Sequence, residues 1–138
     1  MKTDNAALLD FEKFMAIRLK ASTDFVEGNF DSLEDLSVTD DPATIFPPNG
    51  IYISGVSQVN NFNKKGASNF LPHAENEFEV IHQDASDTLA YWTGIQRSSV
   101  KMRGQDAPVI FNLRVTEIFR KEHGSWKLAH RHADKLAE

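Results

Sequence analysis

The 138 residues are 41% hydrophobic and 25% charged, carry a formal charge of −5 and contain no cysteine. Disulfides, thiolate metal sites and a cysteine nucleophile are therefore excluded, and interspersed charges of net negative sign argue against a nucleic-acid-binding face. No apolar run approaches the roughly 20 residues that a membrane helix needs.

A chain of this length is expected to fold as one domain over residues 1–138, with a core large enough to stand without staples. The opening MKTDNAALLD has no signal-peptide pattern, so a cytoplasmic location is the expectation. From Asp4 to Glu27, Leu8, Phe11, Met15, Leu19, Ser22 and Val26 recur at helical spacing. Asp4 is read as the N-cap and Gly28-Asn29 as the stop. Phe11, Phe14, Phe25 and Phe30 are read as core. A second short helix is predicted after Asp31. An extended segment follows from Ala43 to Phe46, closed by the Pro47-Pro48-Asn49-Gly50 turn. Val56, Val59 and Phe62 predict a third helix from Gly55 to about Lys65. Asp40-Asp41 before Pro42 is read as a turn, and His73 and His123 as loop residues without a role.

Beyond Gly66 the period of the pattern falls to 2. EFEVIHQD, TLAYWTGIQRSSV, VIFNLRVTEIF and SWKLAHRHA read as four strands of an antiparallel meander, separated by DASD, RGQDAP and EHGS. Helices first and strands afterwards predict an α+β domain, with the helices covering one face of the sheet.

The last hairpin carries the chemistry. With His123-Gly124 as a two-residue loop, Glu122 faces Ser125 and Phe119 faces Leu128. Continued without interruption, that register sets Glu117 opposite His130, Val115 opposite His132 and Arg114 opposite Ala133. Alternation puts Trp126, Leu128, His130, His132 and Asp134 on one face, with Val115, Glu117 and Phe119. Such an apolar set points inward, which takes Glu117 and both histidines into the interior. The other face holds Arg114, Thr116, Ile118, Arg120, Lys127 and Arg131; it is polar enough to meet water, yet with Ile118 and several alanines it could carry a dimer contact. A carboxylate inside must be paired, neutralised or at the mouth of a wet pocket, because burying it unpaired costs several kcal/mol. His130 is its expected partner.

The stretch LRVTEIFRKEHGSWKLAHRHAD, residues 113–134, resembles the closing hairpin of SnoaL-like proteins, and TIFPPNGIYISGVSQV is similar to their short strand, turn and third helix. These proteins belong to the nuclear-transport-factor-2-like superfamily, which includes ketosteroid isomerase and the association domain of calcium/calmodulin-dependent kinase II. The resemblance implies a cone, in which a strongly curved sheet wraps the helices around a pocket, usually in a homodimer. It does not imply one activity, since members include isomerases, cyclases, dehydratases and non-catalytic binding domains. The ketosteroid isomerase constellation of an aspartate base facing a tyrosine and a protonated aspartic acid is not matched residue by residue. The kinase domain has a similar H-x-H but an arginine where this chain has Glu117, so its pocket charge does not carry over.

The expected partner is a small, partly apolar molecule, with no cofactor. Glu117 and His130 are the candidates for acid/base work of the isomerase, cyclase or dehydratase type, histidine being suited to proton transfer near neutral pH. His132, Trp92, Tyr91, Arg97 and Tyr52 are the candidate pocket residues. Tyr91 and Trp92 alternate, so only one of them faces the pocket, with Thr93 and Arg97 on the side of Tyr91 and Gln96 on that of Trp92. Two other readings stand beside this one. In the first, the same residues only stabilise a non-catalytic binding or oligomerisation domain. In the second, His130 and His132 plus a carboxylate hold a metal, Asp134 or His82 adding a ligand.

Overall fold

The N-terminal stripe folds as one long helix. A computed structural model describes residues 2–137, with side chains from Ala6 onward. Helix α1 runs over Lys2–Val26, so Asp4 lies within it and is not its cap. The helix ends where expected: Gly28 takes φ +100, and its N–H donates to the Phe25 carbonyl while that of Asn29 donates to Asp24. This is the Schellman arrangement, which satisfies the last carbonyls and favours glycine for its positive φ. Helix α2 (Asp31–Asp35) follows.

Strand β1 (Thr44–Phe46) is followed by the Pro47–Gly50 turn, strand β2 (Ile53–Ser54) and helix α3 (Val56–Ala67). Helix α3 extends past Lys65 and takes in Gly66. The meander is present as β3 (Phe70–Ala85), β4 (Leu89–Met102), β5 (Val109–Glu122) and β6 (Ser125–Lys135). His73 is in β3, at an irregularity with φ 73, rather than in a loop. The six strands form one sheet in the order β2-β1-β6-β5-β4-β3. Only β1 and β6 run parallel; the other neighbours are antiparallel. This is the predicted α+β class, with a curved sheet around the helices.

The first half of α1 packs on a solid aromatic core. Phe11 lies 5.2 Å from Phe119 and 5.6 Å from Trp126, ring centre to ring centre, and Phe14 lies 5.4 Å from Phe119. The edge-on geometries add to burial because ring edges and faces carry opposite partial charge. The second half of α1 instead roofs a cavity. Arg18 marks the boundary, 2% exposed and on the buried stripe between Met15 and Ser22.

The closing hairpin departs from the expected register. His123 and Gly124 both take positive φ, 52 and 81, as a two-residue hairpin loop requires. Glu122 pairs with Ser125 and Phe119 with Leu128, as expected, but Ile118 then pairs with His130. Ala129 is the extra residue, a β-bulge that shifts all later pairs by one. Glu117 therefore faces Arg131, Val115 faces Ala133 and Arg114 faces Asp134, in place of His130, His132 and Ala133. A one-residue slip exchanges the faces. Arg131 and Ala133 turn inward, while His130 and His132 turn to the outer face.

A further irregularity lies in β3 between Val80 and His82, opposite Gly94. A Cβ on Gly94 would sit 2.0 Å from the Glu79 carbonyl oxygen and 3.0 Å from the Ile81 nitrogen. These atoms are β3 backbone, which cannot yield as a side chain would. Gly94→Ala is expected to lower stability by about 1–3 kcal/mol, the usual cost of overpacking, read as an earlier urea midpoint. An unchanged midpoint would mean that β3 does not approach so closely.

Candidate functional site

Each strand lends the site its inward residues. Alternation along β4 buries Trp92, Gln96 and Ser98, alternation along β5 buries Glu117, and the bulge brings Arg131 to the same side. From above, α1 contributes Arg18 and Ser22. Glu117 is 0% exposed and receives four donors. Arg18 donates from Nε to Oε1 at 2.8 Å and from Nη2 to Oε2 at 2.7 Å. Trp92 Nε1 donates to Oε1 at 2.8 Å, and Arg131 Nη1 to Oε2 at 2.7 Å.

Burial alone would push the Glu117 carboxyl up. The Arg18 and Arg131 charges and their hydrogen bonds outweigh it, and hold the group at about 2. Glu117 is thus a carboxylate at neutral pH with its lone pairs occupied. Arg131 has its own affinity for protons lowered by burial, against the opposing effect of Glu117, yet an arginine keeps its charge in a protein.

A polar chain continues from Arg131. Its Nη2 donates to Gln96 Oε1 at 2.6 Å, and Gln96 Nε2 donates to Ser22 Oγ at 3.1 Å and Asn76 Oδ1 at 2.9 Å. Ser98 Oγ donates to the same Asn76 oxygen at 2.7 Å. Such a connected network fixes side-chain orientation, because each member has little alternative partner in a buried setting.

This polar wall borders a cavity of about 300 Å³ enclosed by α1, α3, the β1 segment and β4–β6. Most of its lining is apolar, including Phe25, Val59, Phe62, Phe111 and Leu113. Its polar side chains include Arg18, Arg131, Gln96, Ser98 and Asn63, and no carboxylate or imidazole is among the described lining residues.

The sequence candidates distribute differently. Glu117 is buried behind the two arginines and does not line the cavity. His130 is on the outer face, its Nδ1 2.7 Å from Thr44 Oγ1 and its ring 4.7 Å from that of Phe46. Burial, then the neighbouring His132, lowers its pKa, with Glu117 acting the other way. The predicted Glu117–His130 pair is therefore replaced by Glu117–Arg131. His132 is exposed, 3.7 Å from Asp134 and edge-on to Phe46.

Of the alternating aromatics, Trp92 faces inward, fully buried and stacked on Phe78 at 4.6 Å, but it lies behind the cavity wall. Tyr91 points outward, with its hydroxyl 3.0 Å from His82 Nδ1. Arg97 is outside too, bonded to Glu79 at 3.1 Å. Tyr52 is 73% exposed beside Phe46 and is not part of the lining. None of the five expected pocket residues borders the cavity. The proposed two-histidine, one-carboxylate metal set is also separated, since Glu117 lies through the sheet from both histidines and Asp134 is held by Arg114 at 2.6 and 2.8 Å. Among the described residues no three histidine, aspartate or glutamate side chains are grouped to hold an ion.

Reading from sequence missed Arg18, Arg131, Gln96 and Asn76. Arg18 was detectable, because it falls on the Phe11-Met15-Ser22 stripe where a solvated charge would not. The shift at Ala129 leaves only a faint trace, the apolar parity changing from Trp126 and Leu128 to Ala129 and Ala133.

Among the described residues no helix is long and apolar enough to cross a membrane. Comparison with curated proteins gives no match. Among solved structures, a candidate dehydratase of the nuclear-transport-factor-2-like family from Streptomyces avermitilis is similar at 18% identity, over 94% of this chain and 98% of that one, with a TM-score of 0.77. A candidate scytalone dehydratase from Novosphingobium aromaticivorans is similar at 13% identity, over 94% and 85%, with a TM-score of 0.74. The calcium/calmodulin-dependent kinase II hub homology domain of Chlamydomonas reinhardtii is similar at 21% identity, over 90% and 96%, with a TM-score of 0.65. Identities this low establish a shared fold and leave function to the site. The model of the SnoaL-like domain matches residues 16–134, and the chain belongs to that family.

Proposed function

We propose that this protein binds a small, largely apolar molecule inside the cone, and that Glu117 serves there by orienting Arg18 and Arg131 rather than by moving a proton. The observation that carries this reading is the cavity wall: about 300 Å³ of mostly apolar enclosure, with two arginines joined through Glu117 in it and no carboxylate or imidazole among the described lining residues. Small-molecule sites have this character, an apolar body with a few fixed polar groups. General acid/base chemistry needs a group of suitable pKa within hydrogen-bond reach of the substrate. Glu117 fits that role poorly, being ionised and fully engaged. A binding domain is therefore preferred to an isomerase, cyclase or dehydratase, although two of the similar structures are of candidate dehydratases. We further propose a homodimer through the outer sheet face, where Ile110 and Ile118 are exposed.

The test is a ligand-observed NMR screen of small aromatic and aliphatic compounds against the chain and its Val59→Trp variant, which fills the cavity from α3. Binding to the wild type that disappears in the folded variant is expected. Binding that the variant leaves unchanged, or no binding from any compound, would show that the cavity is not a binding site. Sedimentation of the same samples should report two subunits.

A further inference from the structure

The cavity wall carries a charge that the protein does not neutralise. Two guanidinium groups, Arg18 and Arg131, share one carboxylate, Glu117, leaving one positive charge in excess. No other charged side chain is among the described lining residues. Both arginines border the cavity, but they are not equivalent. Arg18 is almost completely enclosed, and its Nη1 finds no acceptor among the described residues. Arg131 keeps 17% of its side-chain surface open. Its hydrogen bonds use Nη1 toward Glu117 and Nη2 toward Gln96, so two of the five N–H groups of a guanidinium are committed. The others are available to an acceptor in the cavity.

Resting on the cavity-binding reading above, we propose that the occupant is a small monocarboxylate, with its anionic oxygens on Arg131 and its apolar body among Phe62, Phe111 and Leu113. An anion cancels the excess charge, which an amide or an alcohol of the same shape does not. A charge-assisted hydrogen bond to a guanidinium is also about twice as strong as a neutral one. Beyond Arg18 and Arg131 the described lining residues include no cation for a second carboxylate, which sets the class at one charge. Glu117 then aims Arg131 through Nη1 while leaving the remaining donors free.

The experiment compares 3-phenylpropanoate with 3-phenylpropanamide on the full chain by calorimetry at pH 7. The carboxylate should bind at least about tenfold more tightly, as befits a hydrogen-bonded charge pair. In Arg131→Gln, with its fold verified by circular dichroism, that ratio should fall to near one. Arg131→Lys, which keeps the charge, should retain a preference for the carboxylate, and supplies the test if the glutamine variant does not fold. Equal binding of acid and amide by the wild type would overturn the monocarboxylate assignment and leave the cavity reading intact. A preference that persists undiminished in a folded Arg131→Gln would overturn the role of Arg131. If neither probe binds while neutral compounds of the NMR screen do, the anion assignment fails alone; if nothing binds, both readings fail.

Discussion

Replacing Glu117 with alanine is expected to destabilise the fold by about 3–5 kcal/mol, the cost of leaving a buried charge without its partner. Two guanidinium groups would lose their acceptor at once, and Arg18, 2% exposed, has no other acceptor in reach among the described residues. Urea denaturation at pH 7 measures this directly. A glutamine there preserves shape but not charge, so Glu117→Gln should also lose stability, by less. The pH dependence follows with a definite sign. The folded carboxyl is held at about 2, below its ordinary 4.5, so its stabilisation is fully present above the ordinary value and is lost as pH falls from there toward about 2. Glu117→Ala should flatten that acid limb. A stable variant with the same acid limb as the wild type would show that Glu117 is not the buried anion described.

Trp92→Ala is expected to cost about 3–5 kcal/mol, because a fully buried indole leaves a cavity as well as lost apolar contact. Trp92→Phe separates the two contributions of this side chain. A ring stacked on Phe78 is retained, while the Nε1 donor to Glu117 Oε1 is removed along with one ring of the indole. Roughly 1–3 kcal/mol is expected for that change, the cost of an under-satisfied buried acceptor. If phenylalanine proved as costly as alanine, the hydrogen bond would dominate the packing.

The chain order of helices and strands was legible because each element carries its own period and its own stop. Gly28 ends α1, His123-Gly124 closes the last hairpin, and the Phe11, Phe119, Trp126 and Leu128 positions name the core. Glu117 was legible as a buried anomaly, since a carboxylate alternating with Val115 and Phe119 has nowhere else to point. Its partners were not. A register argument from a turn holds only until the first bulge, and Ala129 lies six residues after the loop residue His123. Nothing local in Leu-Ala-His-Arg announces an extra residue there; what the bulge achieves, the meeting of Arg131 with Glu117 on the inner face, is visible only in the folded sheet. Arg18 was passed over for the opposite reason. Its position on the apolar stripe is plain, but its charge is normally evidence of exposure, and only the buried carboxylate reverses that inference.

Whether Glu117 is a fixed anchor or a proton carrier can be read from a carbon-13 NMR titration of its side-chain carboxyl in the wild-type protein. A carboxylate held by Arg18, Trp92 and Arg131 should show a constant shift from pH 8 down to about 3, with any inflection near the acid limit. An inflection between about pH 5 and 8 would mean a carboxyl tuned for proton transfer, and would contradict the assignment of Glu117 as the fixed anchor of two arginines.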